Sequence, residues 1–135
     1  MVSKKVKVEK SQKTQKKPKD FLIAIVDDHI QTAVAISQML EHAGFRTAQT
    51  YSPADGITLC ERLNPDLLLL DIKLDGVTGY YVAEKLPEQK LLFITGFDVD
   101  ETRVRDFPNA IGVMKKPLDM EELIQTVKKE LKIKS

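Results

Sequence analysis

The sequence predicts an α/β protein, a doubly wound five-stranded parallel sheet with five helices. Three observations predict it. Short apolar runs of strand length, FLIAIV, DLLLLDI, LLFIT and IGVMK, alternate with stretches of helical periodicity. The runs lack polar alternation, as strands covered on both faces do. Strand-helix alternation builds a parallel sheet, because each crossover must return over one face. A length of 135 residues suits one such domain and can bury a core without covalent staples.

The elements follow in order. Phe21 to Val26 is the first strand, bounded by Asp27 and Asp28. A helix follows from Ile30 to about His42, with apolar positions at Ile30, Ala33, Val34, Met39 and Ala43, and Gly44 as its stop. Phe45 to Tyr51 is a short second strand. Ser52-Pro53 reads as an N-cap with proline at the first helical position, and that helix ends before Asn64-Pro65. DLLLLDI is the third strand. Tyr80 to Leu86 is a short helix closed by Pro87. LLFIT is the fourth strand, Asp100 to Phe107 a helix closed by Pro108, and IGVMK the fifth strand. The last helix starts at Asp119, with Glu122 three residues on as in a capping box, and presents Met120, Leu123, Ile124, Val127 and Leu131 on one face. Gly56 stands out as a glycine inside a helix.

Composition narrows the function classes. The single cysteine, Cys60, excludes an intrachain disulfide framework and a cysteine-rich metal cluster. No apolar run approaches the roughly 20 residues of a membrane-spanning helix, so the expected location is the cytoplasm. The net charge of +1 conceals an asymmetry: residues 1–19 hold eight lysines and one glutamate, and residues 20–135 carry a net charge of −6. We expect residues 1–19 to be a disordered basic tail and residues 20–135 to be the folded domain. The tail reads as a solvated extension or as an electrostatic hook, and any nucleic-acid contact is expected only through it.

In an open α/β sheet, ligands bind outside the carboxyl ends of the strands. The sequence places Asp27 and Asp28 after the first strand, Asp71 after the third, Thr95 after the fourth and Lys115-Lys116-Pro117 after the fifth. Clustered carboxylates repel each other unless a cation relieves them. A hard divalent cation such as Mg²⁺, which takes carboxylates, waters and phosphate oxygens, suits this rim. Asp71 ends the most apolar strand and is the candidate nucleophile, since a carboxylate can attack phosphorus to give an acyl phosphate. Lys116, Thr95 and the metal would neutralise transition-state charge.

The motifs IVDDH, LLLLDIKLDGVTG, FITG and MKKPLDMEEL resemble those of the receiver domains of two-component response regulators, the CheY-like modules, over about residues 20–133. The resemblance implies a flavodoxin-like strand order of 2-1-3-4-5. It implies that Asp71 is the phosphoacceptor and that Asp28 binds Mg²⁺ together with Asp71 and the main-chain carbonyl of Lys73. Asp27 would act through metal-bound water, Thr95 and Lys116 would hold the phosphoryl group, and Lys115 would face elsewhere. A cis bond at Lys116-Pro117 is also implied.

The chain departs from the family in several places. Val113 stands where the family usually has a tyrosine or phenylalanine that swings inward on activation. Asp75 stands where proline is common, and Val77-Thr78-Gly79 replaces the usual acidic-glycine turn. Only 24 positions separate Asp71 from Thr95, so the third helix should be short. Lys73 and Phe97, two residues beyond Asp71 and Thr95, occupy positions that border the path of attacking water. His29 is expected to be exposed, Cys60 to lie in the core, and one of Tyr80 and Tyr81 to pack while the other faces solvent.

The resemblance implies a stand-alone response regulator receiver domain, phosphorylated by a partner histidine kinase or histidine phosphotransfer protein. It would signal through contacts with a downstream protein or by onward phosphorelay, as a monomer or weak dimer. It would not be an enzyme beyond its own phosphorylation and dephosphorylation. Two alternatives are a phosphorylation-independent scaffold and an aspartate-nucleophile phosphohydrolase. The hydrolase would want a second aspartate at position 73, where this chain has lysine. A flavodoxin-like mononucleotide binder would want a glycine- and hydroxyl-rich loop after the first strand, where Asp27 and Asp28 would repel phosphate.

Overall fold

The computed structural model describes residues 16–96 and 99–133. Five strands, β1 (Leu22–Val26), β2 (Arg46–Thr50), β3 (Leu67–Asp71), β4 (Leu91–Thr95) and β5 (Ala110–Lys115), pair in parallel in the order β2-β1-β3-β4-β5. Every residue of β3 and β4 is buried, as are the last four of β1. This is why those strands read as unbroken apolar runs. β2 and β5 form the sheet edges.

Four α-helices are present among the described residues: α1 (Ile30–His42), α2 (Pro53–Leu63), α3 (Gly79–Lys85) and α4 (Met120–Glu130). The expected fifth, over Asp100 to Phe107, is corrected by the structure. That stretch holds only a 3-10 turn, Val104–Asp106. The Asp100 carboxylate accepts the Thr102 N–H at 2.9 Å, as a helix N-cap would, but Pro108 leaves too few residues after it for a helix to gain stability.

The sheet divides the core in two. Ile23, Ile25, Leu67, Leu69, Leu92 and Ile94 pack with Ala33, Ile36 and Leu40 of α1 and Leu123 and Val127 of α4. Ala24, Val26, Leu68, Leu70, Leu91 and Phe93 pack with Cys60, Tyr80, Val82 and Ala83 on the other face. The α1 face differs from expectation. Ile30 and Met39 are 57% and 42% exposed, and Ala33, Ile36, Ser37 and Leu40 are the buried set. The spacing of 33, 36/37 and 40 is the true helical stripe.

Local signals explain the element ends. Ser52 Oγ accepts the Asp55 N–H at 3.2 Å, and Asp119 accepts that of Glu122 at 3.1 Å. α2 ends at Asn64 in the left-handed conformation. Gly56 has a packing reason: a Cβ there would meet Val26 Cγ2 at 2.6 Å, so α2 lies on β1 only with glycine at that point. Of the lysine-rich tail, residues 1–15 lie outside the described residues. Pro18–Asp20 form a 3-10 turn, and Arg46 Nε donates to the Lys19 carbonyl at 3.0 Å.

Candidate functional site

The carboxyl ends of β1, β3, β4 and β5 bring the expected residues to one rim. Asp71 ends β3 and is 3% exposed; Asp27 follows β1 and is 2% exposed. Lys116 reaches between them from the end of β5, with Nζ donating to Asp71 Oδ2 at 2.8 Å and to Asp27 Oδ2 at 3.0 Å. The cis Lys116-Pro117 bond expected from the family is present. The other carboxylate oxygens are held by main chain. Lys73 N–H donates to Asp71 Oδ1 at 3.1 Å, and His29 N–H to Asp27 Oδ1 at 2.9 Å. Lys115 turns away and pairs with Glu101 at 3.1 Å.

The charges do not balance within the protein. Two buried carboxylates share one ammonium, and Asp28 adds a third. Burial pushes the Asp71 carboxyl above its usual range. The Lys116 hydrogen bond pulls it back, but the adjacent Asp27 raises it again and the net shift is upward. Burial alone would lower the Lys116 ammonium, yet its bonds to Asp71 and Asp27 hold it above the ordinary lysine value. Lys116 is therefore a fixed cation at any physiological pH.

Asp28 Oδ1 is buried and makes no hydrogen bond, although His29 Nδ1 stands 3.3 Å away. Donor atoms of Asp27, Asp28, His29 and Asp71 all lie within 4.8 Å of one another. An unpartnered carboxylate oxygen beside two more carboxylates is the donor set a hard divalent cation requires, so the residues fit a metal.

Thr95 is fully buried at the end of β4, but its hydroxyl donates to the Gly96 carbonyl at 3.2 Å and not to the carboxylates. Lys73 is exposed. Phe97 lies outside the described residues. His29 is exposed as expected, yet its ring faces two of the carboxylates. Gly79 was not foreseen as part of the site. A Cβ there would collide with the Asp71 carbonyl oxygen, and its N–H donates to the Ile72 carbonyl at 2.6 Å, so glycine lets α3 begin against the Asp71 main chain. Position 79 looked in the sequence like an ordinary loop glycine.

This arrangement agrees with comparison to known proteins. The family model of the response regulator receiver domain matches residues 23–128. The chain belongs to this family. Sporulation initiation phosphotransferase F of Bacillus subtilis is 25% identical over 118 residues, covering 84% of this receiver and 95% of that protein. The polar-differentiation response regulator DivK of Brucella ovis is 27% identical over 117 residues, covering 81% and 94%. The DNA-binding dual master transcriptional regulator RpaA of Synechocystis is 29% identical over 113 residues, but the receiver spans only about half of it, 47%. A CheY-like receiver domain from Methanospirillum hungatei superposes with a TM-score of 0.74 at 26% identity, over 83% of this chain and 94% of that one. A two-component response regulator from Clostridium difficile, at 20% identity and a TM-score of 0.75 over 83% and 96%, shares the fold.

Tyr80 packs and Tyr81 faces solvent, as the sequence suggested. In this receiver, Tyr80 does more than fill the core. Its hydroxyl donates to the Asp100 carbonyl at 2.8 Å, and its ring stacks on Phe107 with centroids 5.8 Å apart. Arg103 lies over the Tyr80 ring at 5.0 Å and pairs with Glu84 at 2.8 Å. These contacts hold the β4–β5 connection where the expected helix is absent. Among the described residues, no helix is long and apolar enough to cross a membrane.

Proposed function

We propose that this receiver accepts a phosphoryl group on Asp71 from the phosphohistidine of a partner histidine kinase or histidine phosphotransfer protein. The observation that carries the reading is the Lys116 ammonium bridging Asp71 and Asp27 at 2.8 and 3.0 Å beside the unpartnered oxygen of Asp28. An oxygen of ionised Asp71 forms the new bond to phosphorus as the bond from phosphorus to the donor imidazole nitrogen breaks. Lys116 holds its charge on the path of the incoming phosphoryl oxygens, where a fixed cation stabilises developing negative charge. Asp28, Asp27, Asp71 and the Lys73 carbonyl would hold Mg²⁺, which supplies charge neutralisation between the carboxylates and the phosphoryl oxygens. Thr95 would reach the phosphoryl group after exchanging its bond to Gly96.

On this reading the chain catalyses only its own phosphorylation and dephosphorylation. It acts in the cytoplasm and passes the signal through protein contacts or by onward transfer. The similarity to a protein named a phosphotransferase supports the transfer arm. Lys73 in place of a second aspartate weighs against a phosphohydrolase. Val113, which removes the family's usual aromatic, favours a phosphorylation-independent scaffold as the second reading.

Intact-protein mass spectrometry after incubation with acetyl phosphate and Mg²⁺ tests the proposal. One added phosphoryl group is expected, absent without Mg²⁺ and absent in Asp71→Asn. No adduct and no beryllofluoride binding, under conditions where a known receiver shows both, would leave the scaffold reading.

A further inference from the structure

His29 is a pocket group that the proposed phosphoryl chemistry leaves unused. Its main-chain N–H is committed to Asp27 Oδ1 at 2.9 Å, which fixes the residue at the start of α1. Its imidazole then lies against the carboxylates, with Nδ1 3.3 Å from Asp28 Oδ1 and 3.5 Å from Asp27 Oδ1. These are longer than the roughly 2.7–3.2 Å of a good N–H···O bond. Asp28 Oδ1 remains without a hydrogen bond despite the neighbouring ring.

The spacing fits a shared ion better. Two donors that each stand about 2.1 Å from one metal are about 3.0 Å apart at a right angle and about 3.4 Å apart at a tetrahedral angle. The ring is 71% exposed, so small adjustments meet little packing resistance. Ion chemistry separates the donors. Mg²⁺ takes oxygen ligands and keeps its waters, whereas Co²⁺ and Zn²⁺ accept imidazole nitrogen readily.

We propose that His29 Nδ1 adds a nitrogen donor to the Asp27, Asp28 and Asp71 carboxylates, so that this pocket favours Co²⁺ and Zn²⁺ over Mg²⁺ beyond the preference of an all-oxygen site. The inference rests on the reading of the rim as the receiver metal site. Competing soft ligands are remote or inert. His42 lies at the far end of the 13-residue α1, about 20 Å away. Burial pushes the Cys60 thiol up to about 12, so it offers no thiolate near neutral pH.

The test titrates the untagged full chain at pH 8 with Co²⁺ and with Mg²⁺, without any phosphodonor. Visible absorption of Co²⁺ and hyperfine-shifted imidazole proton resonances are the readouts. Wild type should show a shifted ring N–H resonance. His29→Asn, which puts a favoured N-cap residue at the head of α1, should lose that resonance and bind Co²⁺ about tenfold more weakly, with Mg²⁺ affinity within about twofold of wild type. Equal Co²⁺ affinity in the two proteins would overturn the proposal. So would tighter Mg²⁺ binding by the variant, which would make the ring an obstacle to the ion and not a donor. If neither ion bound wild type at all, the metal-site reading itself would fall, and His29 with it.

Discussion

The centre of the sheet and its β5 side are held in different ways. β3 and β4 are buried at every position, whereas β5 has no fully buried residue. The helices on the β1–β3 side are long and apolar-faced. The connection into β5 has only the Val104–Asp106 turn among its described residues. It is tied down by polar and aromatic contacts: Tyr80 to Asp100, Arg103 to Glu84, and Lys115 to Glu101. Apolar burial is not screened by salt, while exposed pairs are screened and individually weak. The acidic residues thus stand on the firm part of the molecule, and the segment beside them is the part that can yield. A signalling module needs both: a fixed site and an element with two accessible arrangements.

The largest effect should come from the joint between the two regions. Lys116 ends the β5 side, yet its charge serves the β1 and β3 carboxylates. Lys116→Met would leave buried Asp27 and Asp71 facing each other uncompensated. We expect a loss of about 3 kcal/mol in metal-free buffer, read by urea denaturation, because breaking a buried pair strands a charge. Mg²⁺ should restore part of that loss by binding only the folded state. A variant as stable as wild type without Mg²⁺ would mean that the carboxylates are not coupled through Lys116.

Paired truncations sharpen the contrast. Leu69 on β3 is 1% exposed, and Leu69→Ala should cost about 3 kcal/mol. Val113 on β5 is half-buried, so Val113→Ala should cost about 1 kcal/mol or less. Equal costs in urea denaturation would show that β5 shares the core's packing and would remove the distinction.

Much of this division was legible in the residues. Strands buried on both faces carry their signature in composition, so FLIAIV, DLLLLDI and LLFIT gave their positions away. The rim residues followed from where those strands end, and the family motifs assigned their roles. The absent helix did not follow. A helix was expected over Asp100 to Phe107, but Pro108 leaves the segment too short to repay helix nucleation and only the Val104–Asp106 turn forms. Ile30 and Met39 misled because an apolar residue on a helix can simply be exposed. Gly79 against the Asp71 carbonyl is a contact made across a loop, and the turn of the His29 ring back over its neighbours Asp27 and Asp28 is a matter of side-chain direction; no periodicity encodes either.

A change of opposite sign is expected at Asp71. Asp71→Asn leaves one buried carboxylate, Asp27, against one ammonium, which relieves the imbalance. The wild-type carboxyl is raised in the folded state, so the fold holds its proton more tightly than the unfolded chain does. Stability is therefore lost as pH rises from the unfolded value, about 3.9, through the folded one. The variant should match wild type at low pH and exceed it by about 1 kcal/mol at pH 7 without metal, read as denaturation midpoints along a pH series. A variant less stable than wild type at pH 7 would show that the Lys116 bond outweighs burial and repulsion.

A small effect confined to one place tests the yielding segment directly. Tyr80→Phe keeps the ring on Phe93 and Phe107 and removes only the hydroxyl bond to Asp100. The global cost should be about 1 kcal/mol, the net worth of one hydrogen bond. Its distribution is the informative part. Amide exchange over residues 99–109 should accelerate while β1 and β3 amides change only with global stability, because local opening of the connection does not require the core to unfold. Raising the salt concentration should accelerate exchange in the same segment by weakening the Arg103–Glu84 and Lys115–Glu101 pairs. If protection fell equally across β3 and residues 99–109, the connection would belong to the same cooperative unit as the core. The phosphorylation proposed for Asp71 would then have no separately yielding element to act on there.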